Sequence, residues 1–241
     1  EKLPNLLKAD DFHWCNHSFV ENHRLGDNVI EGFNMLVVDV DGHKRDKAGN
    51  ITARGPSLDS IHELLKEYTF ITSTTKRHTD DEHRFRLIMP ANYNLMLDKD
   101  DYRDFMASFT LWLPFESDTS ANQRERKWMT NPNTVVNVNK GTKLLNVLPF
   151  IPKTKQNTEY VNGVADLGRL DNLERWFLNN MEVGSRNNNL LNFAMMLKDA
   201  GASYDIIKGK VHTLNEQSAS PLKKDEVDST VLKSVASKMT A

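Results

Sequence analysis

The sequence predicts an α+β protein, with a mixed α/β part to about residue 160 and a small all-helical part from about residue 167. Two observations carry that expectation. Short apolar runs of strand character, NMLVVDVDG (34–42), YTFITST (68–74) and RFRLIMP (84–90), alternate with helix-spaced stripes in the first half. Beyond residue 167 only helical spacing remains.

NMLVVDVDG is apolar until it turns abruptly acidic, and so short a run closed by Gly reads as a strand buried on both faces. An irregular polar stretch, HKRDKAGNITARG, follows. Pro56 and Ser57 open a helix whose Leu58, Ile61, Leu64 and Leu65 share one face. Residues 68–74 read as a second strand and 84–90 as a third, with Phe85, Leu87 and Met89 alternating against Arg84, Arg86 and Ile88. Asp98 to Asp101 lead into a helix bearing Tyr102, Phe105, Met106 and Phe109. TVVNV (134–138) and KLLNVLPF (143–150) read as two further strands. IPKTKQNTEYVNGVAD (151–166) holds little that forms a core and reads as a linker. The helical part then shows Leu173, Trp176 and Phe177 on one helix, and Leu190, Leu191, Ala194 and Leu197 on another that stops at Gly201. A last helix carries Val227, Val231, Val235 and Met239 at strict i, i+4 spacing.

Composition narrows the function classes. No apolar run approaches about 18 residues, so no membrane span is expected. The start, EKLPNLLKADDF, lacks the features of a signal peptide and has no initiator Met, so a piece excised from a longer chain is expected. Cys15 is the only cysteine, which rules out an intrachain disulfide and suits the cytoplasm. A formal net charge of −2 gives no global attraction to nucleic acid. A local track suffices, and Arg124, Arg126, Lys127, Lys140 and Lys143 face only Glu125 within residues 122–143.

Asp39 and Asp41 are the sharpest signal. Residues i and i+2 of a strand point to one side, and two carboxylates at an apolar strand end need cations nearby. A pair of divalent ions meets that need and is a device for phosphoryl chemistry. The same DxDG pattern also resembles the haloacid-dehalogenase phosphohydrolases, in which the first Asp is the nucleophile. Here His43 follows the Gly where that family places Thr or Val, and Asp80 and Asp81 sit in a polar loop.

FITSTTKRHTDDEHRFRLIMP (70–90) decides between them, setting a strand, a Ser/Thr–Lys–Arg–His loop and an arginine-bearing strand in order. The chain here resembles the archaeo-eukaryotic primase superfamily, especially the primase–polymerases of phages and plasmids. The resemblance implies that Asp39 and Asp41 are the first motif and His78 the second, touching the phosphates of the incoming nucleotide. Lys76, Thr75, Ser73 and Arg86 are the further donors to a triphosphate. The family usually has a small hydroxyl residue where Lys76 stands, and Thr75 or Ser73 takes that part. The third motif is an Asp followed by small residues, an Arg and an aromatic; Asp118, Ser120, Ala121, Arg126 and Trp128 follow that order, with Glu116 the competitor. GSRNNNLLNFAMMLKDAG (184–201), a break, and SPLKKDEVDSTVLKSVASK (220–238) resemble the helical domain that follows the catalytic one, making Arg186 and Asn187, with Arg126 of the basic track, the candidates for template and initiating nucleotide.

The implied activity is primer synthesis or DNA extension from nucleoside triphosphates on a single-stranded template, with Mg²⁺ or Mn²⁺ at Asp39, Asp41 and Asp118. A phage or plasmid origin, action inside a microbial host cell and a helicase beyond the helical domain are implied with it. The alternatives are the phosphohydrolase and a non-catalytic replication-initiation module that binds nucleic acid. His13, Cys15, His17 and His23 include the right atoms for zinc, but scattered histidines more often lie on surfaces and zinc is not expected.

Overall fold

The computed structural model describes residues 2–167 and 170–239. By contacts the chain divides into two units. Residues 1–44, 55–111 and 116–166 form the first, and 45–54, 112–115 and 167–241 the second.

The first unit opens with α1 (Leu3–Leu7), β1 (His13–Trp14), β2 (Ser18–Phe19) and β3 (Val29–Ile30). Its centre is a four-stranded antiparallel sheet. It is built from β4 (Phe33–Val40), β7 (Phe70–Thr74), β8 (Phe85–Leu95) and β10 (Val136–Asn139) in the order β10-β7-β8-β4. In chain order β4 is followed by the short pair β5 (Lys44–Arg45) and β6 (Ile51–Ala53), of which residues 45–54 are counted with the second unit, and then by α2 (Leu58–Leu64) of the first. HKRDKAGNITARG is thus a hairpin rather than an irregular stretch, its tip closed by Asp46, whose carboxylate accepts from the amides of Ala48 and Asn50. The Ser57 side chain caps α2 by accepting from the Ser60 amide. β9 (Trp128–Met129) pairs with β1, and α3 (Lys99–Trp112) and α4 (Lys155–Asp166) complete the list.

The sheet is buried on both faces, as the continuous Leu/Val run of β4 requires. Leu36, Val38, Val40, Phe85, Leu87, Met89 and Phe70 alternate onto one face, which α2 covers through His62 on Phe70 and Thr72. Val37 and Ile88 lie on the other, in a cluster with Leu7, Trp14, Ala121 and Trp128. Tyr102, Phe105, Met106 and Phe109 of α3 are buried, as their spacing predicts.

Two further expectations about the first unit need correction. KLLNVLPF makes only isolated bridges, Tyr68 to Lys143 and Ala91 to Leu145, before a single 3-10 turn at Leu148–Phe150. Residues 151–166 are not a linker. They hold α4, which anchors itself through polar reach, not apolar bulk. Asn157 Nδ2 donates to the Pro149 carbonyl at 3.0 Å, the Tyr160 hydroxyl donates to the Ser108 carbonyl at 3.1 Å, and the Tyr160 ring meets Phe150.

Besides the β5–β6 hairpin, the second unit is helical: α5 (Asn172–Asn179), α6 (Arg186–Asp199), α7 (Tyr204–Gln217), and α8 (Lys224–Val227) running through a π turn (Asp228–Leu232) into α9 (Lys233–Met239). A capping box of Asp171 and Glu174 starts α5, and Gly201, at φ +87°, ends α6. The break expected between the two helical motifs is itself a helix, α7, capped by Ser203 and burying Ile207, Val211 and Leu214. Four residues overshoot an α-turn by about 40°. The wider π turn absorbs that drift, so Val227, Val231 and Val235, spaced strictly by four, all stay buried.

Candidate active site

Antiparallel pairing of β4 with β8 sets Asp39 opposite Arg86, and pairing of β8 with β7 sets Arg86 opposite Ser73. These three side chains therefore form one row across the sheet, on the face of the Trp14–Trp128 cluster. Asp39 is half-buried and meets Arg86 Nε at 3.8 Å, an ion pair too long for a hydrogen bond. Burial raises the Asp39 carboxyl above its usual range. The Arg86 charge opposes this, Asp41 adds to it, and Arg126 and Asp118 contribute smaller opposed effects. Arg86 Nη1 donates to the Met129 carbonyl at 2.6 Å, and the Arg86 and Arg126 guanidinium carbons lie 5.3 and 5.4 Å from the Trp128 ring centre.

Asp41 lies one residue beyond β4. Its carboxylate is 66% exposed and meets Arg84 Nη1 at 3.3 Å. Arg84 Nη2 donates to Glu82 Oε1 at 2.9 Å, and the same oxygen accepts the His43 amide at 3.0 Å. Gly42 is required here because a Cβ would lie 2.2 Å from Glu82 Cγ.

Asp118 reaches the same strand end by its backbone: its amide donates to the Asp39 carbonyl oxygen at 2.9 Å. Its side chain caps a 3-10 turn (Thr119–Ala121), accepting from the Ser120 amide. Glu116, the competing acid, pairs with Lys44.

The loop joining β7 and β8 holds the phosphate-binding candidates. Its base is closed by the Thr75 amide donating to the Arg84 carbonyl. His78 Nδ1 accepts the Arg84 amide at 3.1 Å, which leaves its ring proton on Nε2 when neutral. Burial, then the neighbouring His83, holds the His78 pKa below the usual imidazole value. Lys76 and Arg77 are exposed at the tip. Ser73 is 3% exposed and bonded to the Thr134 hydroxyl, so Thr75 is the accessible hydroxyl of the two. Arg86 is turned towards β9, not towards this loop.

The acids are all hard oxygen donors of the kind Mg²⁺ and Mn²⁺ take. Yet among the described residues no three His, Cys, Asp or Glu side chains stand close enough to hold a metal ion. The reason is visible at each carboxylate. Asp39 faces Arg86, Asp41 holds Arg84, and Asp118 caps Ser120. The zinc candidates do not converge either, since His17 is buried against Phe33 and Tyr102.

Within the helical unit, Arg186 Nη1 donates to the Ser220 carbonyl at 2.5 Å and to its hydroxyl at 2.9 Å. Asn187 donates to Glu226 and accepts from the Thr230 hydroxyl. Among the described residues no helix is long and apolar enough to cross a membrane.

Sequence reasoning missed Glu82 as a member of this region, and it set Arg84 beside the phosphate loop without its partner Asp41. Glu82 and Arg84 are near neighbours in the chain, but their meeting with Asp41 is legible only once β4 and β8 are in register.

Residues 174–241 match the family model described as Primase C terminal 1 (PriCT-1). The match falls in the helical unit and bears out the primase resemblance read from residues 184–201 and 220–238. The chain carries a primase-type C-terminal domain, which marks it as a primase-associated replication protein, and its sheet-bearing and helical parts are those of the predicted fold class. No curated protein and no solved structure matches the chain.

Proposed function

We propose that the chain is a template-directed nucleotidyltransferase that makes primers or extends DNA on a single-stranded template, with Asp39, Asp41 and Asp118 as the ligands of Mg²⁺ or Mn²⁺. The observation that carries this reading is the hydrogen bond from the Asp118 amide to the Asp39 carbonyl, which holds the third acid at the end of the strand bearing the first two. The primase C-terminal domain in the same chain supports it.

When bound, the metal ions supply Lewis acidity to the attacking 3′-hydroxyl and to the leaving pyrophosphate. The chain's own part is to bind, orient and neutralise. His78, neutral and with its proton on Nε2, donates to a phosphate oxygen. Lys76 and Thr75, on the exposed loop, contribute charge and a hydroxyl to the same triphosphate. Arg86, fixed by Met129 and Trp128, keeps a positive charge beside Asp39, and Arg126 offers another towards the template. Arg186 and Asn187 act indirectly, locking α6 to the last helix so that the helical domain presents a fixed surface to the template.

The test is a primer-synthesis assay on single-stranded DNA, comparing ribo- with deoxyribonucleotides and Mg²⁺ with Mn²⁺. Asp39→Asn combined with Asp41→Asn should abolish incorporation while thermal unfolding stays cooperative. Undiminished extension by that variant ends the proposal. Metal-independent binding of single-stranded DNA with no synthesis by the unaltered chain identifies the non-catalytic module instead.

A further inference from the structure

The loop joining β7 and β8 carries a second imidazole, His83, five positions beyond His78. A turn closed on itself lies between them. The Thr79 amide donates to the Glu82 carbonyl at 3.1 Å, and the Glu82 amide donates to the Thr79 hydroxyl at 3.0 Å. The turn brings the two imidazoles together edge to face, with ring centres 5.2 Å apart.

Each ring is also tied by a backbone amide. The Arg84 amide donates to His78 Nδ1 at 3.1 Å, and the Leu58 amide, at the start of α2, donates to His83 Nδ1 at 3.4 Å. A ring nitrogen that accepts a hydrogen bond carries no proton, so both neutral imidazoles hold theirs on Nε2. Among the described residues neither Nε2 has a hydrogen-bond partner. Two rings held in this tautomer offer protons rather than lone pairs, which suits an anion and not a cation. The acids of the turn, Asp80 and Asp81, are exposed and are matched in number by the exposed Lys76 and Arg77.

We propose that His83 is a second phosphate-binding residue, and that His78 and His83 together grip one phosphate of a nucleoside triphosphate through their Nε2 protons. The inference rests on the reading of this loop as the triphosphate site, adds a residue to it and involves no metal. With charge-assisted bonds of about 2.8 Å from each ring, a single phosphate group reaches both. The closed turn and the two backbone amides set the ring positions and the tautomers before the ligand arrives. Little side-chain freedom is then lost on binding, an advantage that a lone imidazole on an open loop would lack.

The experiment measures, by calorimetry in EDTA, the binding of a nucleoside triphosphate and of inorganic triphosphate to the unaltered chain and two variants. The amide of Asn copies the Nδ1 position of His, and that of Gln copies Nε2. His83→Asn therefore keeps an acceptor for the Leu58 amide and loses the outward donor, whereas His83→Gln does the reverse. Both probes should bind His83→Asn at least about tenfold more weakly while its thermal midpoint holds. They should bind His83→Gln clearly better than His83→Asn, even where its thermal midpoint falls. Binding by His83→Gln as weak as that by His83→Asn, or weaker, is what a merely structural role gives and overturns the proposal. Undiminished binding by His83→Asn, or no binding of triphosphate by the unaltered chain, overturns it as well. The predicted order of binding in a chain that makes no primer keeps the histidine pair and removes the polymerase reading.

Discussion

The backbone amide of Asp118 donates a 2.9 Å hydrogen bond to the carbonyl oxygen of Asp39, joining residues 79 positions apart at the end of one strand. Because the bond is between backbones, substituting either side chain leaves it in place. The charge at this strand end can therefore be varied while its geometry is kept.

Gly42 sits where the chain leaves the acid strand, with Glu82 filling the space a side chain would need. Gly42→Ala should cost about 1–3 kcal/mol through overpacking and lower the thermal midpoint accordingly. Glu82→Ala in the same chain should recover part of that loss, because the two changes share one contact. Strictly additive effects would show that the close approach carries no strain.

His17 is 8% exposed, and burial, then the nearby Arg124 charge, lowers its pKa from 6.5 to about 4, with a backbone bond to Arg124 opposing in part. Between those two values the unfolded chain binds the proton and the folded chain does not. Stability is thus complete above the unfolded pKa and falls as pH drops through the window from 6.5 to about 4. The loss is on the order of 3 kcal/mol. Denaturant midpoints measured across that window should fall for the unaltered chain and fall much less for His17→Phe. Parallel slopes would place the acid sensitivity elsewhere.

Trp128 is 2% exposed and lies under two guanidinium groups. Trp128→Ala should destabilise by about 3–5 kcal/mol. Trp128→Phe, which keeps a ring face for both arginines, should lose clearly less. Equal losses by chemical denaturation would mean that the stacked cations contribute nothing to the first unit.

Much of this architecture is legible in the residues. The alternation of Phe85, Leu87 and Met89 with charged neighbours marks β8, and the Leu/Val run of β4 marks a strand with two buried faces. Other parts mislead for identifiable reasons. KLLNVLPF has strand composition, yet its carbonyls and amides find only isolated bridges. α4 reads as a linker because it is held by Asn157 and Tyr160, not by an apolar stripe. α7 has a full signal in Ser203, Ile207, Val211 and Leu214, but it lies between two stronger motifs. At the site, the acids stand out because carboxylates seldom end an apolar strand, whereas their partners do not. Asp39 meets Arg86 and Asp41 meets Arg84 only through cross-strand register, and spacing along the chain does not encode register.

Asp118→Asn gives the most direct test of the acids as a working set. Asn retains the backbone bond to Asp39 and an oxygen that can cap Ser120, so only the charge is lost. With Mn²⁺ or Mg²⁺ on a single-stranded template, the account predicts that nucleotide incorporation falls at least about a hundredfold while the thermal midpoint holds. Incorporation at the unaltered rate by Asp118→Asn, or synthesis by the unaltered chain that survives removal of all divalent metal, would contradict it.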